Sequence, residues 1–214
     1  MVDSIMTSYS PFLPPNDPRL RLSTPPVAID IIVSPAFQAQ LEELYAIARQ
    51  RQSAQVGRIL VGLAAPQVGI SQRILLVDVA SDGHGGTGQL VELINPEITK
   101  HSDETTQWYE GCYSTGPICG IVDRYRDITV RAYDRKAKQH TYEFHDYIAR
   151  IFQHEIDHLD GKVFIDHITN PDRLHLVSDD QFVTYRDQEQ WRHWPHKCTF
   201  AQWEALKNQP ELQL

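Results

Sequence analysis

Basic residues are in short supply in this chain: 20 Lys and Arg face 28 Asp and Glu over 214 residues, a formal net charge of −8. That balance speaks against a phosphate-backbone partner such as DNA, which calls for a basic patch or stripe. Arg124, Arg126 and Arg131 alternate with Asp123, Asp127 and Asp134, and this mixed run reads as a solvated strand and turn. Cysteine is also scarce. Cys112, Cys119 and Cys198 form an odd set without framework spacing, so a disulfide-stapled secreted domain is not expected and a thiol is free to ligate metal. No apolar run approaches the roughly 18 to 20 residues that a membrane helix needs. Met1 to Pro15 contains neither Lys nor Arg, so the basic start of a secretory signal is missing and a cytoplasmic protein is expected.

The remaining composition, 41% hydrophobic and 22% charged, is that of a globular chain large enough for one core. Proline is frequent from Ser10 to Pro35, which predicts an extended arm anchored by Leu20, Leu22 and Val27. Ser34 and Pro35 then open a helix carrying Phe37, Leu41, Leu44, Tyr45 and Ala48, ending before Gly57. Arg73 to Val79 and Leu90 to Asn95 read as neighbouring strands, joined by the glycine-rich link Ser81 to Gly88. That link lacks the Lys-Ser/Thr and following helix of a phosphate loop. Ile128 to Asp134 and Thr141 to His145 predict a hairpin. Asp146 to Leu159 then changes period: Ile148, Ile151, Phe152, Ile156 and Leu159 form one helical stripe, and Gly161 suits a left-handed cap. Residues 171–214 form a C-terminal extension expected to pack back on the domain of residues 1–170, with Thr199 and Gln202 capping a short helix.

His154-Glu155-Ile156-Asp157-His158 lies on that helix. Residues four apart share a face, so both imidazoles can reach one divalent ion, while the Glu155 carboxylate can move a proton from water to a leaving group. The third ligand decides the class. The spacing His-x-x-Gly-x-x-His fails because Phe164 stands at its last position. Glu189 is a candidate without a recognisable pattern around it. Cys112, in Tyr109-Glu110-Gly111-Cys112-Tyr113-Ser114, would complete a Cys-His-His site with one position open. Glu110 could pair with Arg124 behind the site or stand solvated. His193, His196 and Cys198 lack a fourth zinc ligand, and the histidines outside the motif are expected at the surface. Cys119 and Cys198 are expected as buried thiols.

Three blocks in order, Gly62-Leu63-Ala64-Ala65-Pro66-Gln67, Glu110-Gly111-Cys112-x-Ser114 and Gln153-His154-Glu155-x-Asp157-His158-Leu159, resemble the peptide deformylases, and the likeness runs from about Pro18 to Asp166. The resemblance implies an α+β fold, with antiparallel sheets around a central helix that carries the metal motif. It implies hydrolytic removal of the formyl group from the N-terminal methionine of nascent peptides, acting near the ribosome, with formate as product. Carried over by residue, Cys112, His154 and His158 bind the metal and Glu155 is general acid and base. Gln67 and the Tyr113 backbone N–H stabilise the oxyanion, and Val61, Gly62 and Leu63 border the peptide. The family's usual cellular ion is Fe(II), with zinc, nickel or cobalt able to replace it. A metallo-amidase or aminopeptidase of altered substrate, or a metal-binding homologue without catalysis, are the alternatives. The chain departs from the family at Leu60, where glycine is usual, at Tyr113, where leucine is usual, and at Thr115 to Gly120, where a basic residue is missing. These changes border the expected substrate channel, so altered peptide preference is expected, with Leu60 narrowing the groove or shifting its backbone. Oligomeric state is not legible.

Overall fold

The computed structural model describes residues 10–53 and 58–209. The arm is less extended than its prolines predict: it contains a 3-10 turn at Pro18–Arg21 and a short helix α1 (Ile29–Ile32). Leu20 and Val27 are buried, but Leu22 is 60% exposed and anchors nothing. The Asn95 side chain instead ties the arm down, accepting from the Val27 N–H at 2.7 Å and donating to the Val27 carbonyl at 2.8 Å. Helix α2 (Pro35–Gln52) begins as expected, with Ser34 Oγ accepting from the Phe37 N–H. Gly57, beyond its end, lies outside the described residues.

Strands β1 (Gly62–Ala64), β2 (Ile74–Asp78), β3 (Leu90–His101), β6 (Asp127–Tyr133) and β7 (Gln139–His145) form an antiparallel sheet in the order β1-β2-β3-β6-β7. Strands β4 (Thr105–Gly111), β5 (Ile118–Tyr125) and β8 (Leu174–Leu176) form a second sheet in the order β4-β5-β8. Helix α3 (Asp146–Leu159) contacts strands of both sheets. Its apolar stripe, Ile151, Phe152, Ile156 and Leu159, packs with Leu75, Val77, Ile128 and Val130 of the first sheet. Burying a side chain such as Phe152 contributes about 1.5–3 kcal/mol, which fixes the rotation of the helix. Arg150, Gln153, His154 and His158 are buried too, so this helix has no solvated face where they lie. Gly161, at φ +72°, ends it in the left-handed conformation that a side chain would disfavour.

The extension is built into the fold. β8 pairs with β5, and α4 (Phe182–Arg186), a 3-10 turn at Asp187–His193 and α5 (Phe200–Leu206) follow. Tyr185 and Trp191 are fully buried against Tyr109 and Cys119 of the second sheet. Thr199 Oγ1 accepts from the Gln202 N–H, as the capping pattern predicts. His175 corrects the surface expectation for the remaining histidines: it is fully buried between Tyr185 and Lys197. No described helix is long and apolar enough to cross a membrane.

Candidate metal centre

Helix α3 presents His154 and His158 one turn apart, and β4 delivers Cys112 to them from the other sheet. The ligating atoms of Cys112, His154 and His158 all lie within 4.8 Å of one another, and Cys112 Sγ is 3.2 Å from His158 Nε2. Among the described residues this is the one such cluster of metal-binding side chains. Glu189 pairs with Arg192 at the surface and takes no part, and His193, His196 and Cys198 do not gather. Burial alone would keep the Cys112 thiol protonated, but His158 and His154 outweigh it and hold its pKa well below the usual thiol range.

Behind His154 stands Glu110, whose carboxylate accepts from His154 Nδ1 at 2.9 Å, from Arg124 at 2.9 Å through both oxygens, and from Arg150 at 2.8 Å. Burial opposes its ionisation, yet Arg124 and His154 override that and hold it well below the usual carboxylate range. Engaging Nδ1 in this way leaves Nε2 of His154 with its lone pair toward the cluster. Arg124 continues the chain to Asp157 at 2.6 Å, and Asp157 reaches His167 at 2.8 Å. Of the two readings, the Glu110–Arg124 pair behind the site holds and the solvated one does not: the Arg124 side chain is only 5% exposed, with Glu110 and Asp157 reaching it from two segments.

Glu155 lies beside the cluster, buried, and its Oε2 has no hydrogen-bond partner among the described residues. Burial raises its pKa to about 7 against the opposing influence of His154 and His158. Gly62 faces it closely, and a Cβ there would overlap the carboxylate. Gln67 comes from the 3-10 turn after β1; its Oε1 accepts from the Ala64 N–H at 2.7 Å. That bond aims its Nε2 at Cys112 Sγ, 3.2 Å away. The Tyr113 side chain turns aside, stacking on Phe12 at 4.4 Å and donating to the Arg58 carbonyl.

A cleft opens beside the cluster, lined by Val61, Gly62, Gln67, Glu155 and, across from them, Tyr109 and Tyr147. The Leu63 side chain is fully buried in the core with Leu41 and Ile74, so a peptide on this strand would meet only its backbone. Leu60 also packs its side chain into that core, is 2% exposed and borders the cleft beside Val61 and Gly62. The extension supplies lining residues that its sequence did not announce, Phe182 and Arg186.

The chain matches the family profile described as polypeptide deformylase over residues 10–174. It is similar to a peptide deformylase of Symbiobacterium thermophilum, 48% identical over 120 residues, which is 56% of this chain and 52% of that protein. A peptide deformylase 2 of Xanthomonas campestris pv. campestris is 35% identical over 159 residues, covering 74% of this chain and 86% of that one. The match thus spans only about half the length of the first of these relatives. Among solved structures, the Met-Ala-Ser-bound class I type b peptide deformylase of Acinetobacter baumannii superposes with a TM-score of 0.67 at 29% identity, over 76% of this chain and 100% of that chain.

Proposed function

The chain belongs to the polypeptide deformylase family, and from that premise we propose that it is a metal-dependent hydrolase that removes the formyl group from the N-terminal methionine of nascent polypeptides in the cytoplasm. The observation that carries this is the convergence of Cys112, His154 and His158 beside Glu155, whose buried carboxylate oxygen lacks a partner. One thiolate and two imidazoles, one of them held by Glu110, form a donor set suited to Fe(II), with zinc, nickel or cobalt as substitutes. When bound, such an ion polarises the formyl carbonyl and makes water acidic enough to attack near neutral pH. Helix α3 contacts both sheets, and Cys112, His154 and Glu155 border the cleft, which supports this reading.

Glu155 takes the proton from the attacking water and delivers it to the departing amine. Burial favours the protonated form of Glu155, the direction required of a group that must hold a proton before returning it. Gln67 Nε2 and the Tyr113 backbone N–H donate to the oxygen that gains charge, and the Ala64 bond keeps the Gln67 amide from turning over. β1 is the edge strand of its sheet, so Val61 to Leu63 can hold the peptide by main-chain hydrogen bonds. Residues 1–170 carry this chemistry and 171–214 form the extension. The test is product analysis with formyl-Met-Ala-Ser and acetyl-Met-Ala-Ser. Formate from the first and no reaction with the second is the expected result, whereas no formate, with methionine released from unblocked Met-Ala-Ser, would identify an aminopeptidase.

A further inference from the structure

The stretch Thr115 to Gly120 carries no basic residue, its Ile118 and Cys119 are fully buried and none of its residues lines the cleft, so it offers a peptide no cation. Three arginines line the cleft, and two are committed elsewhere: Arg150 to Glu110 and the Val122 and Thr106 carbonyls, and Arg58 to the Gly116 and Val177 carbonyls. The third, Arg186, on α4 of the extension, has Nη1 lying against Gly85 of the link between β2 and β3. Its side chain is only 14% exposed, and among the described residues its hydrogen bonding is through Nε to Asp187 at 2.8 Å. Asp187 is 44% exposed, so water competes for that carboxylate and the terminal amino groups remain available to a ligand.

The wall that holds Arg186 is anchored to the metal-binding loop. Arg58 donates to the Gly116 carbonyl at 2.6 Å and to the Val177 carbonyl at 3.2 Å, and its guanidinium lies over the Phe182 ring at 5.2 Å. Phe182, one turn before Arg186 on α4, lines the same cleft. The extension is thereby clamped to the segment that carries Cys112.

We propose that Arg186 is a specificity residue that selects peptides carrying a carboxylate downstream of the formyl-methionine, so that the C-terminal extension completes the substrate cleft. The proposal rests on the deformylase reading of that cleft. An Arg–carboxylate contact is directional and charge-assisted, and partial burial protects it from screening. The carboxylate is either an acidic side chain or the free end of a short peptide.

The experiment compares formyl-Met-Ala-Glu amide with its Gln isostere, and formyl-Met-Ala-Ala as free acid and as amide. The proteins are the metal-loaded wild type, Arg186→Gln, Arg186→Lys and, as a distant control, Arg192→Gln. The wild type is expected to show a KM lower by roughly five-fold for the charged member of a pair, the size of a partly exposed ion pair. Arg186→Gln erases that difference, Arg186→Lys keeps part of it and Arg192→Gln keeps it all. Preference for the Glu amide assigns the contact to a side chain, and preference only for the free acid assigns it to the chain end. Calorimetric binding of Met-Ala-Glu amide against Met-Ala-Gln amide reads the same preference without turnover. Absence of formate from every peptide would therefore sink the deformylase reading while binding still decides the role of Arg186. Equal affinities in the wild type, or a preference that survives Arg186→Gln, overturns the proposal.

Discussion

Gly62 and Glu155 share one space: the carboxylate lies where a side chain at position 62 would begin. The absence of a Cβ on β1 thus sets the position of an acid on α3, two elements that meet only in the folded chain. Gly62→Ala is expected to push Glu155 aside without touching Cys112, His154 or His158. Metal content should stay stoichiometric while kcat falls by about 10²-fold, the usual cost of misplacing a catalytic group by about 1 Å. Unchanged kcat with retained metal would show that the close approach has no consequence.

Glu110 gathers two arginines and His154 in a buried network. Glu110→Gln removes the charge that Arg124 and Arg150 face, so stability should fall by about 3–5 kcal/mol in urea titrations. The His154 ring loses its charged partner as well, and metal affinity, read by competition with a chromophoric chelator, should weaken by about 10- to 100-fold. Retained affinity alongside lost stability would confine Glu110 to a structural role.

Trp191 is buried among Trp108 and Tyr109, with ring centroids 5.6 Å and 6.3 Å away. Trp191→Ala should destabilise the whole chain by about 3–5 kcal/mol in a single cooperative transition. A separate early transition, with the metal centre still intact, would mean that the extension unfolds on its own.

His175 gives the extension a pH dependence. Burial, with Lys197 beside it, lowers its pKa from 6.5 to about 4. As pH falls below 6.5 the unfolded chain takes up a proton that the folded chain refuses until about pH 4. The stabilisation tied to the neutral ring is thus complete above pH 6.5 and is lost as pH drops through that window. His175→Gln should flatten the fall in urea midpoint across it; parallel slopes for the two proteins would refute this.

Helices α2 and α3 were legible because their apolar residues repeat at about 3.6 positions, α5 by its capping pattern, β2 by an unbroken apolar run and β6 by alternation. The histidine pair was legible because four residues make one helical turn. Arg124 was only half legible. Its pairing with Glu110 was one of two readings, but Asp157 comes from a helix far away in sequence, and the mixed charges around Arg124 resemble a solvated strand until β5 is seen between β4 and β8. The direction of the Leu63 side chain follows from strand geometry, since neighbours on a strand face opposite sides. With Gly62 toward Glu155, Leu63 goes to the core. The cleft-lining role of Phe182 and Arg186 has no local signature, since it arises from packing between the extension and the second sheet.

The central claim is that Glu155 moves the proton at a site held by Cys112, His154 and His158. Its most direct test is formate release from formyl-Met-Ala-Ser by anaerobically prepared Fe(II) protein, beside Glu155→Ala of verified equal metal content. The expected result is turnover by the wild type and a loss of at least about 10²-fold in the variant, the contribution of a general acid–base group. Comparable rates from the two metal-replete proteins would contradict it.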